Sequence, residues 1–281
     1  SYLLPQYPDW ERAQNILEAE VAIRFTVDAE GSVLPGMRVE RTSGYGRLDL
    51  LWFDFSYDQL TGEAWRATEL VKMVRAAQPH IILNNRLGGD GLAHGLGHGD
   101  FVTPEQTIPE TSPVDAAGKA LPWETCLTLN NSWGYNRQDH AWKTPKQVVE
   151  ALVNVVSKGG NLLLNVGPDG SGRIPDGSVR VLEDVGRWVH KHEASIYGAG
   201  PATVGLPKPD WGRYTQRGNV LYAHVFNPPI GHIALPGMQG RVTTARVLSD
   251  GTEAVMANHF WGVSSGTTMF VNVAKPTHNT Y

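Results

Sequence analysis

The sequence predicts an α/β domain built on a parallel sheet, followed by a small antiparallel β-sandwich. Three observations carry this prediction. From Leu48 onward, short apolar runs alternate with segments of helical spacing, giving four strand-then-helix units. Long loops follow the strands, as in part of a parallel barrel or a doubly wound sheet. After Tyr197 the pattern changes to short alternating segments between Gly and Pro turns. That change sets the domain limits: an N-terminal segment of uncertain fold at 1–47, the parallel domain at 48–198 and the sandwich at 199–281.

Each element has a local cause. Asp9 behind Pro8 predicts a short capped helix, and Ala22–Val27 alternates like a strand turned by Asp28–Gly31. Leu48–Phe53 is an apolar run of the kind buried in a parallel sheet. Glu63–Gln78 places Leu70, Val71, Val74 and Ala77 on one helical face, and Pro79 stops it. His80–Asn84 is the next strand; a Gly-rich excursion from Gly88 to Gly99 then leads into a long loop. Trp123–Leu129 is the third strand. Thr144-Pro145 opens a helix that packs Val148, Val149, Leu152 and Val155 inward, and Gly159-Gly160 closes it. Asn161–Asn165 is the fourth strand, and Ile174-Pro175 opens a helix running to about His192. Beyond Tyr197, Leu221–Phe226 and Thr268–Val273 read as strands.

Composition narrows the function. The 281 residues are 41% hydrophobic and 19% charged, which is enough to bury a core and excludes a disordered or fibrous chain. Lys and Arg number 24 against 28 Asp and Glu, with no run of like charge, so a basic face for nucleic acid or acidic lipid is not expected. No apolar stretch approaches the ~20 residues of a membrane helix. Ser1–Pro5 is too short and lacks the basic flank of a signal peptide, although one could already have been removed, and the compartment stays unassigned. Cys126 is the single cysteine, so neither an intramolecular disulfide nor a cysteine zinc site is expected. His94 and His98 have a metal-like spacing, but Gly95, Gly97 and Gly99 argue against a helix there; no metal and no cofactor is expected. Gly167–Gly172 lacks the ending of a phosphate loop, and no Gly-x-Ser-x-Gly elbow is present.

Chemistry should collect where parallel strands end, because the following loops converge on one face. The first strand ends in Trp52-Phe53-Asp54. A carboxylate there is either a nucleophile or base beside a sugar-binding ring, or a cap on the next turn. Arg86, ending the second strand, either anchors a ligand or neutralises Asp54. Glu105, in the loop that follows, supplies a second carboxylate. Two carboxylates on neighbouring loops are what glycoside hydrolysis requires. Trp133 and Tyr135, after the third strand, either wall a sugar ring or pack their own loop.

Several motifs occur in one order: Leu51–Asp54, Gln78–Arg86, Asp100–Gln106, Trp123–Cys126, Ser132–Arg137 and Ser157–Pro168. The series resembles the α-L-fucosidases of glycoside hydrolase family 29 over roughly Leu48–Tyr197. The resemblance implies an incomplete (β/α) barrel retaining its C-terminal half, then a β-sandwich. It implies retaining hydrolysis of terminal α-L-fucosides, with Asp54 as nucleophile and Glu105 as acid/base. Trp52, Arg86 and Trp133 would line the fucose pocket. Family members also place three βα units before the nucleophile strand, which supply histidines and a Glu-Trp pair to the sugar hydroxyls. Here 53 residues precede Asp54 and none is His, while each unit needs roughly 30 or more residues. The front of the barrel is therefore expected to be absent from this chain. Exposed strand edges would then be covered by residues 1–47 together with a second copy of the chain. The rival expectation is a weak or inactive relic acting as a fucose-binding or assembly module.

Overall fold

The computed structural model describes residues 23–24, 38–39, 47–54, 61–88, 95–203, 205–257, 259–260, 263–264 and 266–272. The helix expected from Asp9, the turn at Asp28–Gly31 and His94 lie outside the described residues. Strand β1 (Ile23–Arg24), inside the predicted Ala22–Val27 strand, pairs antiparallel with β2 (Arg38–Val39). The chain divides into two compact units, Ser1–Leu127 with Leu163–Arg173, and Thr128–Leu162 with Ile174–Tyr281.

In the first unit β3 (Leu50–Leu51) and β4 (Ile82–Leu83) run parallel, Leu50 opposite Ile82 and Leu51 opposite Leu83. One face of this pair packs on helix α1 (Ala67–Ala77), burying Leu70, Val74, Ile81 and Leu83 in one cluster. Each such side chain contributes about 1.5–3 kcal/mol of burial. The helix expected over Glu63–Gln78 is broken in two. Gly62–Trp65 forms a short 3₁₀ turn, and Arg66 then adopts a left-handed φ of 53°. The reason is local: the Glu63 carboxylate accepts from Thr68 N at 3.2 Å and from its hydroxyl, an acidic cap at the start of α1.

The long loop expected after the second strand contains a further parallel ribbon. Phe101 bridges Asn84, Val102 bridges Trp123 and Glu105 bridges Cys126, all in parallel sense. Asp100 starts it: its N–H donates to Leu83 O at 2.7 Å and its carboxylate accepts from Leu83 N at 2.8 Å. Glu124 N then donates to Val102 O and Cys126 N to Pro104 O. Gly99 allows the entry, since a Cβ there would lie 2.4 Å from Asn84 O. The ribbon thus runs between β4 and β5 (Glu124–Thr128), and β5 pairs with β6 (Asn161–Asn165). Not every apolar strand residue is covered: Leu50 is 46%, Ile82 47% and Leu163 43% exposed.

In the second unit α2 (Pro145–Val156) starts at a complete capping box, with Thr144 Oγ1 accepting from Gln147 N and Gln147 Oε1 from Thr144 N. Helix α3 (Asp176–His192) follows Pro175, and its Val185 and Trp188 pack on Val149, Val153 and Val156. Two antiparallel sheets follow. One is the hairpin of β7 (Gly212–Arg217) and β8 (Val220–Val225). The other comes from β9 (Ile233–Leu235), β10 (Val255–Ala257) and, after the paired β11 (His259–Phe260) and β12 (Val263–Ser264), β13 (Met269–Asn272). Its order is β10-β13-β9. Tyr214, Leu235, Met238, Met269 and Val271 form a core shared by the two sheets. Among the described residues no helix is long and apolar enough to cross a membrane.

Candidate active site

The ends of the parallel strands converge on Arg86. Strand periodicity puts Leu50, Trp52 and Asp54 on one face, and Ile82, Asn84 and Arg86 on the corresponding face of the next strand. The two strand ends are pinned by Asn84, whose side-chain amide accepts from Phe53 N at 2.9 Å and donates to Phe53 O at 2.8 Å. This amide pair extends the β3–β4 ladder past its last backbone bond and fixes the approach of Asp54.

Arg86 is almost wholly buried, its side chain 3% exposed. Its Nη2 donates to Glu105 Oε2 at 2.7 Å, and its Nη1 lies 3.7 Å from Asp54 Oδ1. Its Nε donates to Thr103 Oγ1 at 2.7 Å, and that hydroxyl donates to Asn85 Oδ1 at 2.9 Å. The guanidinium carbon lies 4.8 Å from the Trp52 ring centroid, a cation–π distance. A charge this buried is costly unless paired and bonded. Two carboxylates, a hydroxyl and an aromatic face supply what it needs. Asp54 and Glu105 are therefore brought to opposite ends of one rigid planar cation, with side chains 52% and 41% exposed.

Glu105 ends the parallel ribbon, where the sequence had placed a loop, and so stands at a strand end as Asp54 does. The next residue, Gln106, has a φ of 52°, one of two non-glycine residues in the left-handed region among those described. Such a conformation costs about 1–2 kcal/mol and turns the chain sharply directly after the carboxylate.

A third carboxylate escaped the sequence reading. Glu124, on β5, accepts from Trp52 Nε1 at 3.2 Å, and burial raises its pKa above the ordinary value. The alternation of Trp123–Cys126 was the available signal, since it puts Glu124 and Cys126 on one strand face. Cys126 is buried at 3.7 Å from Arg86 Nη2, and desolvation raises its thiol to about 11, so it stays protonated at neutral pH. Trp133 belongs to the other unit, in an exposed loop where Asp139 accepts from Asn131 N at 2.9 Å and Ser132 Oγ at 2.8 Å. Among the described residues no cluster of three potential metal ligands occurs; His98 Nε2 lies 3.0 Å from Thr68 Oγ1.

Two carboxylates thus share one buried arginine at the ends of parallel strands in an α/β fold. The family model for alpha-L-fucosidase matches residues 32–194, and the chain belongs to that family. It is 31% identical over 188 residues to an alpha-L-fucosidase of Dictyostelium discoideum, covering 64% of this chain and 39% of that protein. Among solved structures, alpha-L-fucosidase isoenzyme 1 from Paenibacillus thiaminolyticus superposes with a TM-score of 0.78 at 50% identity, covering 83% of this chain and 56% of that one. A family 29 alpha-L-fucosidase from Bacteroides thetaiotaomicron, trapped as a covalent intermediate with 2-fluoro-fucosyl fluoride, superposes with a TM-score of 0.69 at 25% identity, covering 83% and 55%. The chain thus spans about two fifths of the length of the Dictyostelium relative.

Proposed function

We propose that this chain carries the carboxylate pair of a retaining α-L-fucoside hydrolase. In the first step an Asp54 oxygen bonds to the anomeric carbon of terminal fucose as the glycosidic C–O bond breaks, and Glu105 gives its proton to the departing oxygen. In the second, Glu105 takes a proton from water, which displaces Asp54 and releases fucose with its configuration retained. Trp52 and Arg86 line the sugar pocket from the first unit. The parallel strands correspond to the C-terminal half of a barrel, and the antiparallel sheets to a sandwich. The observation that carries this reading is the single buried guanidinium of Arg86 reaching both carboxylates. The covalent intermediate trapped on the Bacteroides protein supports a route through a covalent glycosyl-enzyme. Release of nitrophenol from an α-L-fucoside tests it, together with intact mass after exposure to 2-fluoro-fucosyl fluoride. Asp54→Asn should lose both turnover and the covalent adduct; an unchanged rate in that variant sinks the mechanism.

A second reading is a fucose-binding or assembly module with little turnover. It is favoured by the half-exposed carboxylates, since water competes for the charges that must stabilise the transition state. Calorimetry with L-fucose separates the two, because binding without turnover points to the module. On either reading, exposed Leu50, Ile82 and Leu163 suit self-association of the chain. Light scattering that finds only monomer at micromolar concentration counts against that part.

A further inference from the structure

The second unit holds a groove of about 270 Å³ that the carboxylate pair does not use, lined by Gln147, Glu150, Ala151, Asn154, Arg213 and Phe226. The four α2 residues recur at spacings of three and four, so they form one stripe along the helix. Arg213, from β7, and Phe226, just past β8, supply the opposite wall. Arg213 Nε donates to Asn154 Oδ1 at 2.9 Å, and its Nη1 donates to Gly212 O at 2.6 Å. Both partners are neutral. Among the described residues no carboxylate lies within salt-bridge distance of Arg213, although burial disfavours its charge. Glu150 acts on it through space while pairing with Lys146 at 3.7 Å. A guanidinium fork carries more N–H donors than these two bonds engage.

The lining therefore mixes a cationic donor, an anionic acceptor and amides around an apolar strip of Ala151 and the Phe226 ring. A phosphorylated or carboxylated ligand would meet Glu150, and a cationic one would meet Arg213. A neutral hydroxyl-rich ring satisfies both, because each hydroxyl donates to carboxylate and accepts from guanidinium. Its C–H face can lie on the aromatic ring. The volume sits just below the range of about 300–1,000 Å³ typical of ligand pockets, so one or two sugar rings fit and a folded partner does not.

We propose that this groove is a binding subsite for neutral pyranose residues of a glycan. It goes beyond the hydrolytic reading and needs neither Asp54 nor Glu105. The test is calorimetric titration of the full chain with N-acetyllactosamine, which carries no fucose, with inorganic phosphate run in parallel. Saturable binding of the disaccharide is expected, weakened at least about tenfold in Glu150→Ala and in Arg213→Ala and unchanged in Glu105→Gln. Thermal melts of each variant check folding, and half-buried Glu150 is the safer of the two positions. No saturable heat up to the solubility of the sugar, binding that survives Glu150→Ala in a folded variant, or preferential binding of phosphate would each overturn the proposal.

Discussion

Arg86 in the first unit and Arg213 in the second are both arginines partly removed from water, and their surroundings treat them oppositely. Arg86 is held by two carboxylates, a threonine hydroxyl and the face of Trp52. Arg213 has an amide and a backbone carbonyl. The contrast extends to their neighbours. Around Arg86 the buried Asn84, Asn85 and Thr103 all make specific bonds. In the sheets of the second unit the buried Tyr214 hydroxyl lacks a partner among the described residues, and burial lowers the His224 pKa to about 4. The lesson concerns what each region is built for. Around the fixed cation the buried amides and hydroxyl are hydrogen-bonded, whereas the sheet core carries a buried phenol and imidazole because apolar contacts carry its stability.

The comparison is sharpened most by removing its first member. Arg86→Met leaves Asp54, Glu105 and Thr103 without their shared donor. Both carboxylates keep access to water, so the loss lies at the lower end of the range for a broken ion pair, about 3 kcal/mol, read by urea unfolding. A loss below about 1 kcal/mol would mean that Arg86 is not the hub of the site.

Next in size is the acid sensitivity of His224. Its imidazole is buried and neutral, with Thr215 Oγ1 at 3.0 Å from Nε2, and desolvation moves its pKa from 6.5 to about 4, aided by His192. Between those values the folded state binds fewer protons than the unfolded state. Stability is therefore fully present above pH 6.5 and is lost as pH falls toward about 4, by about 3 kcal/mol once protonation is complete. Ordinary carboxylates titrate below the window from pH 6.5 down to about 5, and comparison with a His224 variant separates this group from Glu124, whose pKa burial also raises. His224→Gln should flatten the melting-temperature profile there; an equal slope in both proteins would assign the effect elsewhere.

The smallest effect belongs to Tyr214, whose phenol burial raises to about 12. Tyr214→Phe removes a buried hydroxyl that has no partner, so stability should hold or rise by up to about 1 kcal/mol. A marked loss in chemical denaturation would reveal a bond to the hydroxyl and blur the contrast between the units.

Elements with local causes were legible before any coordinates. Thr144-Pro145 and the double glycine at 159–160 bracket α2, and β6 falls on Asn161–Asn165 as its pattern predicts. Asp54, Arg86 and Glu105 were all singled out, and the fold brings both carboxylates within ion-pair distance of the one guanidinium. The ribbon at 101–105 was not legible. It is short, it follows a Gly-rich excursion in place of a helix, and its ladder partners are Asn84, Trp123 and Cys126, remote in sequence. The break at Arg66 was hidden for a different reason. It depends on Glu63 reaching over to Thr68, and the apolar spacing of α1 is the same with or without it.

The order of the motifs, the residue types at the strand ends and the family were determined by the sequence alone, because they rest on chemistry carried by neighbours along the chain. Only the tertiary structure decided that Glu105 stands at a strand end, that Arg86 serves two acids, and that Glu124 holds the Trp52 indole. Parallel pairing and charge compensation join residues dozens of positions apart. Their free energy exists only once the chain has closed those loops and excluded water, and no local pattern records it.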